Sequence, residues 1–227
     1  MGRLQKLFSQ QQIDLIIGSL LGDARLECRS KGIHYPVSAR LRIHQSDKQK
    51  EYVFWKYSLL RSFVLKEPRR VKTWHDLKRD KDHYSWYFHT KTIPELGEAY
   101  HYFYKNNVKV LPKKDIFNHL TPRALAVWFM DDGSNVKNGY TISTHCFDLE
   151  DQRRIVNFLK TSYGIGVRII KDRDKFKLFI GKGEYEKFSE IVGSYIIPSM
   201  QYKLCSSRND LSGLIPGRVR KLILLSS

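Results

Sequence analysis

Two acidic positions at the ends of apolar segments are the residues in this sequence best placed to do chemistry. The segments read IIGSLLGDA (residues 16–24) and LAVWFMDDG (residues 125–133), and they carry Asp23 and Asp132 at corresponding positions. Each segment predicts an apolar helix that stops at a carboxylate, which the partial negative charge of a helix C-terminus disfavours. A divalent cation would offset this cost, because Mg²⁺ prefers oxygen ligands. Two such carboxylates would form a metal site that activates water and stabilises a leaving oxygen.

Two glycines in the first segment bear on whether these carboxylates can meet. Gly18 and Gly22 lie one helical turn apart and allow the backbone of another helix to approach closely. If the two predicted helices pack side by side, Asp23 and Asp132 arrive together at one end. Taken alone, each acid is better explained as a structural residue, a cap after a core helix or an acidic turn before a glycine. The repetition of the pattern in a basic protein favours the metal site.

The charge of the chain indicates a polyanionic partner. Lys and Arg number 40 against 23 Asp and Glu, which gives a net charge of +17 over 227 residues. Basic side chains placed on phosphates release condensed counterions, so this balance is typical of nucleic-acid binding. No segment is long and apolar enough to span a bilayer, and the N-terminus lacks the apolar run of a signal peptide, so we expect no membrane partner.

Cysteine usage predicts the compartment. Cys28, Cys146 and Cys205 lie far apart and show no zinc-binding spacing, so they predict buried free thiols rather than a metal site. Free thiols are typical of a reducing environment. We therefore expect an intracellular protein, located in an organelle or in a bacterial cytoplasm.

The order of predicted elements repeats along the chain. Each half begins with an apolar helix, at residues 13–23 and 121–132, followed by a strand pair, a polar helix, a second strand pair and a further helix. The repetition predicts an α+β fold of two pseudo-symmetric αββαββα halves, residues 1–108 and 109–227. Residues 105–122 would connect the halves, and the C-terminal tail has too weak a periodicity to be placed.

The elements between the two motifs and after them follow from alternation and from turn residues. Strands are predicted at residues 24–29, 37–44, 69–78, 83–91, 167–172 and 175–180, with a further hairpin at Gly139 that ends at residue 145. Helices are predicted at residues 47–65 with Tyr52, Trp55, Leu59 and Phe63 inward, from Pro94, from Asp148 or Asp151 to Gly164, and after Gly183.

The predicted strands have one apolar face and one mainly cationic face. In residues 37–44, Ala39, Leu41 and Ile43 share one face while Arg40 and Arg42 share the other. The basic residues that we predict to contact nucleic acid are Arg25, Arg29, Arg40, Arg42, Lys72, Lys78, Arg168, Lys175 and Lys177. A saddle of such antiparallel strands can lie along a major groove and contact guanine edges and phosphates. For any single residue a solvated position is the stronger interpretation, but the whole pattern favours nucleic acid.

These motifs resemble the paired motifs of the LAGLIDADG homing endonucleases. The second motif agrees at Leu125, Ala126, Asp132 and Gly133. The first is looser, since Gly18, Leu20 and Asp23 fit whereas Gly22 and Ala24 depart from the consensus. The segments LLGDA, LTPRALAVWFMDDG and YIIPSMQYKL are similar to the single-chain, omega-intron type of enzyme, and the resemblance covers residues 13–204.

The resemblance implies roles for six residues. Asp23 and Asp132 would hold Mg²⁺ or Mn²⁺, and Lys109 and Lys203 match basic residues near the cleavage site, where they would stabilise the phosphate charge. Gln45 matches a glutamine that orients active-site water. In the second half, His145 would hold the place of that glutamine.

The function that follows is site-specific cleavage of double-stranded DNA. A single chain with two motifs is expected to act as a monomer and to make a staggered double-strand break in a long, asymmetric target. The alternative is a maturase that binds its host intron RNA and assists group I intron splicing, an activity found in the same family. A third hypothesis is a DNA-binding regulator that has the fold of an inactive nuclease. The two intact acids favour the nuclease, since a protein that only binds has no use for them.

Overall fold

The computed structural model of the protein describes residues 2–28, 38–113 and 115–204. Predictions for Arg29, for the turn after it, for Val37 and for Cys205 and the tail lie outside the described residues.

The first half contains the predicted elements in the predicted order. Its helices and strands are α1 Gly2–Leu7, α2 Gln10–Leu21, β1 Arg25–Glu27, β2 Arg40–Ser46, α3 Lys50–Leu60, β3 Arg69–Asp76, β4 Lys81–His89 and α4 Pro94–Phe103. Helix α2 begins before the predicted residue 13 because Ser9 and Gln12 form a reciprocal capping box, each side chain accepting from the other's backbone N–H. The helix ends at Leu21, so Asp23 follows it instead of lying in its last turn.

The second half repeats this order after a short connecting hairpin. Its elements are β5 Tyr104–Lys105, β6 Val108–Lys109, α5 Pro122–Asp132, β7 Gly133–Val136, β8 Gly139–Ile142, α6 Leu149–Tyr163, β9 Val167–Asp172, β10 Lys175–Gly181 and α7 Tyr185–Val192. The caps agree with the sequence: the Thr121 and Asp148 side chains begin α5 and α6, and Gly164, at φ +64°, ends α6. The predicted division between residues 108 and 109 falls within β6.

Two antiparallel sheets with matching strand order confirm the predicted duplication. One sheet has the order β1-β2-β4-β3 and the other β7-β8-β10-β9, so each strand of the first half has a counterpart at the same place in the second. In each sheet one face packs on the helices, through residues such as Leu41, Phe88 and Leu178. We call the opposite face of each sheet its outer face. The fold is the αββαββα duplication predicted from the sequence.

The helix predicted at residues 47–65 differs in its ends and in its buried face. Its first and last turns are 3₁₀ turns, at Asp47–Gln49 and Arg61–Phe63. Tyr52 is buried as predicted, but the predicted inward residues Trp55, Leu59 and Phe63 are only partly buried, whereas Lys56 is fully buried. The physical reason is an ion pair that brings Lys56 inward, described below.

One predicted basic residue lies on the wrong side of its sheet. Lys72 is paired with Tyr84 across β3 and β4, on the helix side, and its Nζ lies 2.6 Å from Asp82 Oδ1. The register is regular from Arg69 to Lys72, so Lys72 shares the side of Arg70, and the bulge after Lys72 changes the side only of the residues that follow it. Alternation along β3 alone does not tell which of its two sides faces the helices. Lys78 lies in the hairpin turn after β3 rather than on a strand.

Two further properties bear on the predicted environment. Cys28 and Cys146 are free thiols, as predicted, but Cys28 is half-buried and Cys146 is exposed, so their predicted burial is wrong. Among the described residues, no helix has the length and apolar character needed to cross a bilayer.

Candidate active site and nucleic-acid interface

The two motif helices pack through the predicted glycines. A Cβ atom on Gly18 would lie 2.4 Å from the Ala124 carbonyl oxygen, and one on Gly22 would lie 2.5 Å from Asp131 Cβ. Only a residue without a side chain fits at either position, because each added atom would overlap the facing helix. The close packing brings the ends of α2 and α5 together, with Asp23 exposed just after α2 and Asp132 half-buried at the end of α5.

The carboxylates at this junction repel each other. Burial raises the pKa of Asp132, and the nearby charges of Asp23 and Asp131 raise it further, to about 8. A cation between the carboxylates would relieve this repulsion. Within the described residues no group of three or more His, Cys, Asp or Glu side chains forms a metal site. Two carboxylates fit Mg²⁺ or Mn²⁺, because a hexacoordinate hard cation usually keeps several waters, and they do not fit a structural zinc site.

Gln45, predicted to act near the site, is held against it. It is buried near the end of β2, and its Nε2 donates to Asp23 Oδ2 at 3.0 Å and to Asp131 Oδ1 at 3.1 Å. One amide group therefore links the acid of the first motif to the penultimate acid of the second.

A buried ion pair beside this amide was not predicted from the sequence. Lys56 Nζ in α3 lies 2.7 Å from Asp131 Oδ1, and both side chains are 0% exposed. Asp131 Oδ2 also accepts from the backbone N–H of Asp23 at 3.4 Å. A signal was present, since Tyr52, Lys56 and Leu60 are four residues apart and so share one face of the predicted helix.

The two predicted active-site lysines occupy matching places at the ends of the motif helices. Lys109 Nζ donates to the carbonyls of Gly22 at 2.7 Å and Ala24 at 2.8 Å. Lys203 Nζ donates to the carbonyls of Met130 and Asp131, the latter at 2.9 Å. Burial lowers the pKa of both lysines.

Each lysine thus offsets negative partial charge at a motif end and keeps one N–H for another acceptor. A cleft of about 530 Å³ opens beside Asp132 and is lined in part by Lys203 and Ser134.

The register of the strands corrects the placement of His145. Arg25, two residues after Asp23, faces Arg42, and Ser134, two residues after Asp132, faces Thr141. Three residues beyond Arg42 and Thr141 lie Gln45 and Thr144, so Thr144 is the counterpart of Gln45. His145 is one residue further on, in the turn that follows the end of β8 at Ile142.

The contacts of His145 agree with this placement. Its ring nitrogens lie 2.9 Å from Ser143 Oγ and 3.1 Å from Asp172 Oδ2.

Three of the predicted DNA-binding arginines form one cluster on the outer face of the first sheet. Glu27 accepts from Arg25 at 2.8 Å, from Arg40 at 2.7 Å and from Arg42 at 3.2 Å. Partial burial alone would raise the pKa of Glu27, but the hydrogen bonds from Arg40, Arg25 and Arg42 lower it to about 2. The arginine side chains remain 58%, 23% and 28% exposed respectively. The cluster is held in place yet accessible.

The basic residues of the second sheet lie on β9 and β10, which are the counterparts of β3 and β4 and not of β1 and β2. Arg168 on β9 and Lys175 and Lys177 on β10 share the outer face, as predicted, and Arg168 and Lys175 are exposed. Lys177 Nζ lies 3.0 Å from Asp172 Oδ2, and His145 Nε2 lies 3.1 Å from the same oxygen. The outer face of each sheet thus carries a carboxylate that contacts more than one basic group, Glu27 in the first sheet and Asp172 in the second.

Comparison with known proteins agrees with the fold and the motifs. A sequence profile of the LAGLIDADG DNA endonuclease family matches residues 13–188. The chain is 31% identical to DNA endonuclease I-ChuI of Chlamydomonas applanata, over 86% of this chain and 95% of that protein. It is 32% identical to the cytochrome b mRNA maturase bI2 of Saccharomyces cerevisiae, over 85% of this chain and 47% of the maturase. The chain therefore spans about half the length of that relative.

A solved structure extends the comparison to three dimensions. The homing endonuclease I-WcaI, in a structure bound to its DNA recognition sequence, superposes with a TM-score of 0.78 at 26% identity, covering 88% of each chain. The chain belongs to the LAGLIDADG DNA endonuclease family, as the motifs in its sequence indicated.

Proposed function

We propose that this protein is a site-specific homing endonuclease that makes a staggered double-strand break in a long, asymmetric DNA target by metal-dependent hydrolysis. The observation that carries the proposal is the meeting of Asp23 and Asp132 at the ends of two packed helices, between two sheets with basic outer faces. I-ChuI is named a DNA endonuclease and I-WcaI binds a DNA recognition sequence, which supports the same activity here. A single chain with two motifs is proposed to act as a monomer.

The residues of the site have different proposed roles, in metal binding and in the stabilisation of negative charge on the phosphate. Asp23 and Asp132 would hold Mg²⁺ or Mn²⁺, which supplies a water of lowered pKa and neutralises charge on the phosphate. Lys109 and Lys203 are proposed to donate their remaining N–H to phosphate oxygens as negative charge develops. Gln45 orients Asp23 and places an amide beside the attacking water.

The outer faces are proposed to provide target recognition. The arginines around Glu27 would contact guanine edges or phosphates of one half of the target, and Arg168, Lys175 and Lys177 would contact the other half. The proposed roles of Arg29 and Lys78 rest on charge alone, and Lys72 is removed from the interface because it lies on the helix side.

The proposal is tested by cleavage of a selected target. A random double-stranded library yields cleaved sequences, and a plasmid with one recovered site is then treated with wild type, Asp23→Asn or Asp132→Asn. We expect cutting with Mg²⁺ and none with EDTA. Loss of several kcal/mol of metal stabilisation predicts rates at least about 10³-fold lower in each variant, with binding retained. Full-rate cutting by either variant, or cutting in EDTA, would refute the catalytic assignment.

A second candidate function is assistance of group I intron splicing. The 32% identity to a yeast mRNA maturase favours it, and the basic outer faces suit RNA as well as DNA. Binding of the protein to a group I intron transcript, measured in competition with the selected DNA target, separates the two functions. Splicing that is stimulated equally by wild type and by Asp23→Asn would establish the maturase role as independent of cleavage.

A further inference from the structure

We propose that the buried Lys56–Asp131 pair is a positioning pair that fixes Gln45 on Asp23 and makes the two cleavage centres unequal. The inference rests on the proposed endonuclease function and names which strand-cutting centre depends on which residues. Lys56 and Asp131 touch no reacting atom; they act through Gln45.

The geometry forms a continuous chain from the interior to the site. Lys56 Nζ donates to Asp131 Oδ1 at 2.7 Å, and Gln45 Nε2 donates to the same oxygen at 3.1 Å. The amide group then donates to Asp23 Oδ2 at 3.0 Å. Removing the carboxylate of Asp131 would leave the Gln45 amide with one anchor instead of two.

Stability alone does not account for this pair. Removing two charges from water costs more than their attraction commonly returns, and apolar replacements of buried ion pairs are often neutral or stabilising. Lys56 is further enclosed by Tyr52, whose ring centroid lies 4.4 Å from Nζ and whose hydroxyl donates to the Val127 carbonyl at 3.1 Å. The pair is enclosed and its burial carries a desolvation cost, and the carboxylate of Asp131 is directed at Gln45. A positioning role explains that direction.

Within the residues that the structure describes, the second centre has no counterpart of this arrangement. Gly22 occupies the place of Asp131 in the first motif, and its lack of a side chain is what makes room for Asp131. Thr144 occupies the place of Gln45; it is buried, and its Oγ1 has no hydrogen-bond partner among the described residues. In the described part of the chain, Asp132 therefore receives no amide equivalent to the one that Asp23 receives from Gln45.

This asymmetry predicts that one DNA strand depends on the pair and the other does not. Releasing Gln45 would loosen Asp23 and slow the cut made at its centre, while the cut at the centre of Asp132 would keep its rate. The ratio of the two strand-cutting rates is a readout that a purely structural role would not move.

The test uses the full chain and a selected target with each strand labelled separately. The double variant Lys56→Met with Asp131→Ala removes both charges together, so neither is left buried alone. We expect cutting of one strand to slow by about 10- to 100-fold, the range for losing a charge-assisted hydrogen bond, and cutting of the other to change less than about twofold. Nicked circular plasmid should then accumulate.

Two further variants keep the result interpretable. The double variant Lys56→Met with Asp131→Leu also leaves no charge buried alone, keeps a side chain of similar shape that cannot accept from Gln45, and should bias the same strand even if the first double variant folds poorly. Leu159→Ala, in the core of α6, should lower thermal stability without changing the strand ratio. Equal slowing of both strands, or no change, would overturn the positioning role. Failure of the wild type to cut any selected target would refute the proposed function instead.

Discussion

The two halves share one backbone plan but differ in the residues around their motif ends. On the outer face of the first sheet, Glu27 gathers three arginines, whereas Val136 occupies the corresponding position in the second. The arginines Arg25, Arg40 and Arg42 are matched by Ser134, Gly139 and Thr141. The basic residues of the second sheet lie instead on the hairpin formed by β9 and β10. The duplicated scaffold fixes where side chains point, while the side chains differ between the halves, a difference that the proposed asymmetric target would require.

The largest effect is expected for a property that both halves share. If both outer faces contact DNA phosphates, six to ten contacts predict a loss of about 10³ to 10⁵ in affinity between 50 and 200 mM salt. Lys175→Ala should lower the slope of log affinity against log salt by about 0.9, the value for one phosphate. Lys72→Ala, on the helix side, is the matched control and should leave the slope unchanged. Equal effects of the two variants in a binding titration would remove the assignment of the outer face.

The next prediction separates the halves by their targets. Arg40→Ala or Arg42→Ala should relax the preference at one or two base positions by about 1–3 kcal/mol, the discrimination of a bidentate arginine–guanine pair. Arg168→Ala should act on other positions, in the opposite half of the target. Cleavage of a library of single-substituted sites measures both. Uniform loss on every site would identify these arginines as phosphate contacts, and overlapping positions would contradict the division of the target between the sheets.

Gly22→Ala tests the asymmetry at the helix junction. The added methyl group would overlap Asp131, and overpacking of this kind costs about 1–3 kcal/mol. For a chain of this size Tm falls by about 2–4 °C per kcal/mol. Gly193→Ala is the control, since a Cβ there has no neighbour within 4 Å. Thermal melts should show a clear drop for the first variant only. A Gly22→Ala protein as stable as wild type would mean that the junction relaxes and that the pairing of glycine with Asp131 is not required.

The last prediction concerns pH. Because the pKa of Asp132 is raised to about 8, the metal-free carboxyl is protonated below that pH and a cation must displace the proton. Apparent Mg²⁺ affinity should therefore rise with pH, by at most about tenfold per unit, and level off above 8. The effect of pH on stability has the opposite sign. In the absence of metal, the raised pKa of Asp132 means that the folded protein binds more protons than the unfolded chain between pH about 4 and 8, so the free energy of unfolding falls as pH rises through this range.

Asp132→Asn isolates this contribution. The variant should show a flatter dependence of metal-free Tm on pH than the wild type, measured without divalent cations. Identical slopes for the two proteins would show that Asp132 titrates in its ordinary range and that the carboxylates at the junction do not repel as strongly as their placement indicates.

Periodicity, caps and turn residues are local, and for that reason they determined much of the molecule in advance. Alternation in the strands placed Arg40 and Arg42 on the outer face, and Asp148 and Gly164 marked the ends of α6. The two motifs indicated the family of the protein and the similarity of helices α2 and α5. Local alternation failed at Lys72, because the side of β3 that faces the helices is set by its pairing with β4 and not by β3 alone.

Contacts between distant residues were decided only by the tertiary structure. Lys56 and Asp131 are separated by 75 positions, and their pairing requires a helix of one half to pack on the motif of the other. The gathering of Arg25, Arg40 and Arg42 on Glu27 and the replacement of His145 by Thr144 as the counterpart of Gln45 both depend on strand register. Local sequence patterns predicted which elements form and which acids lie at or just after the ends of the motif helices. The register and the helix packing decided which charges meet, because a side chain's partners depend on what the rest of the chain places beside it.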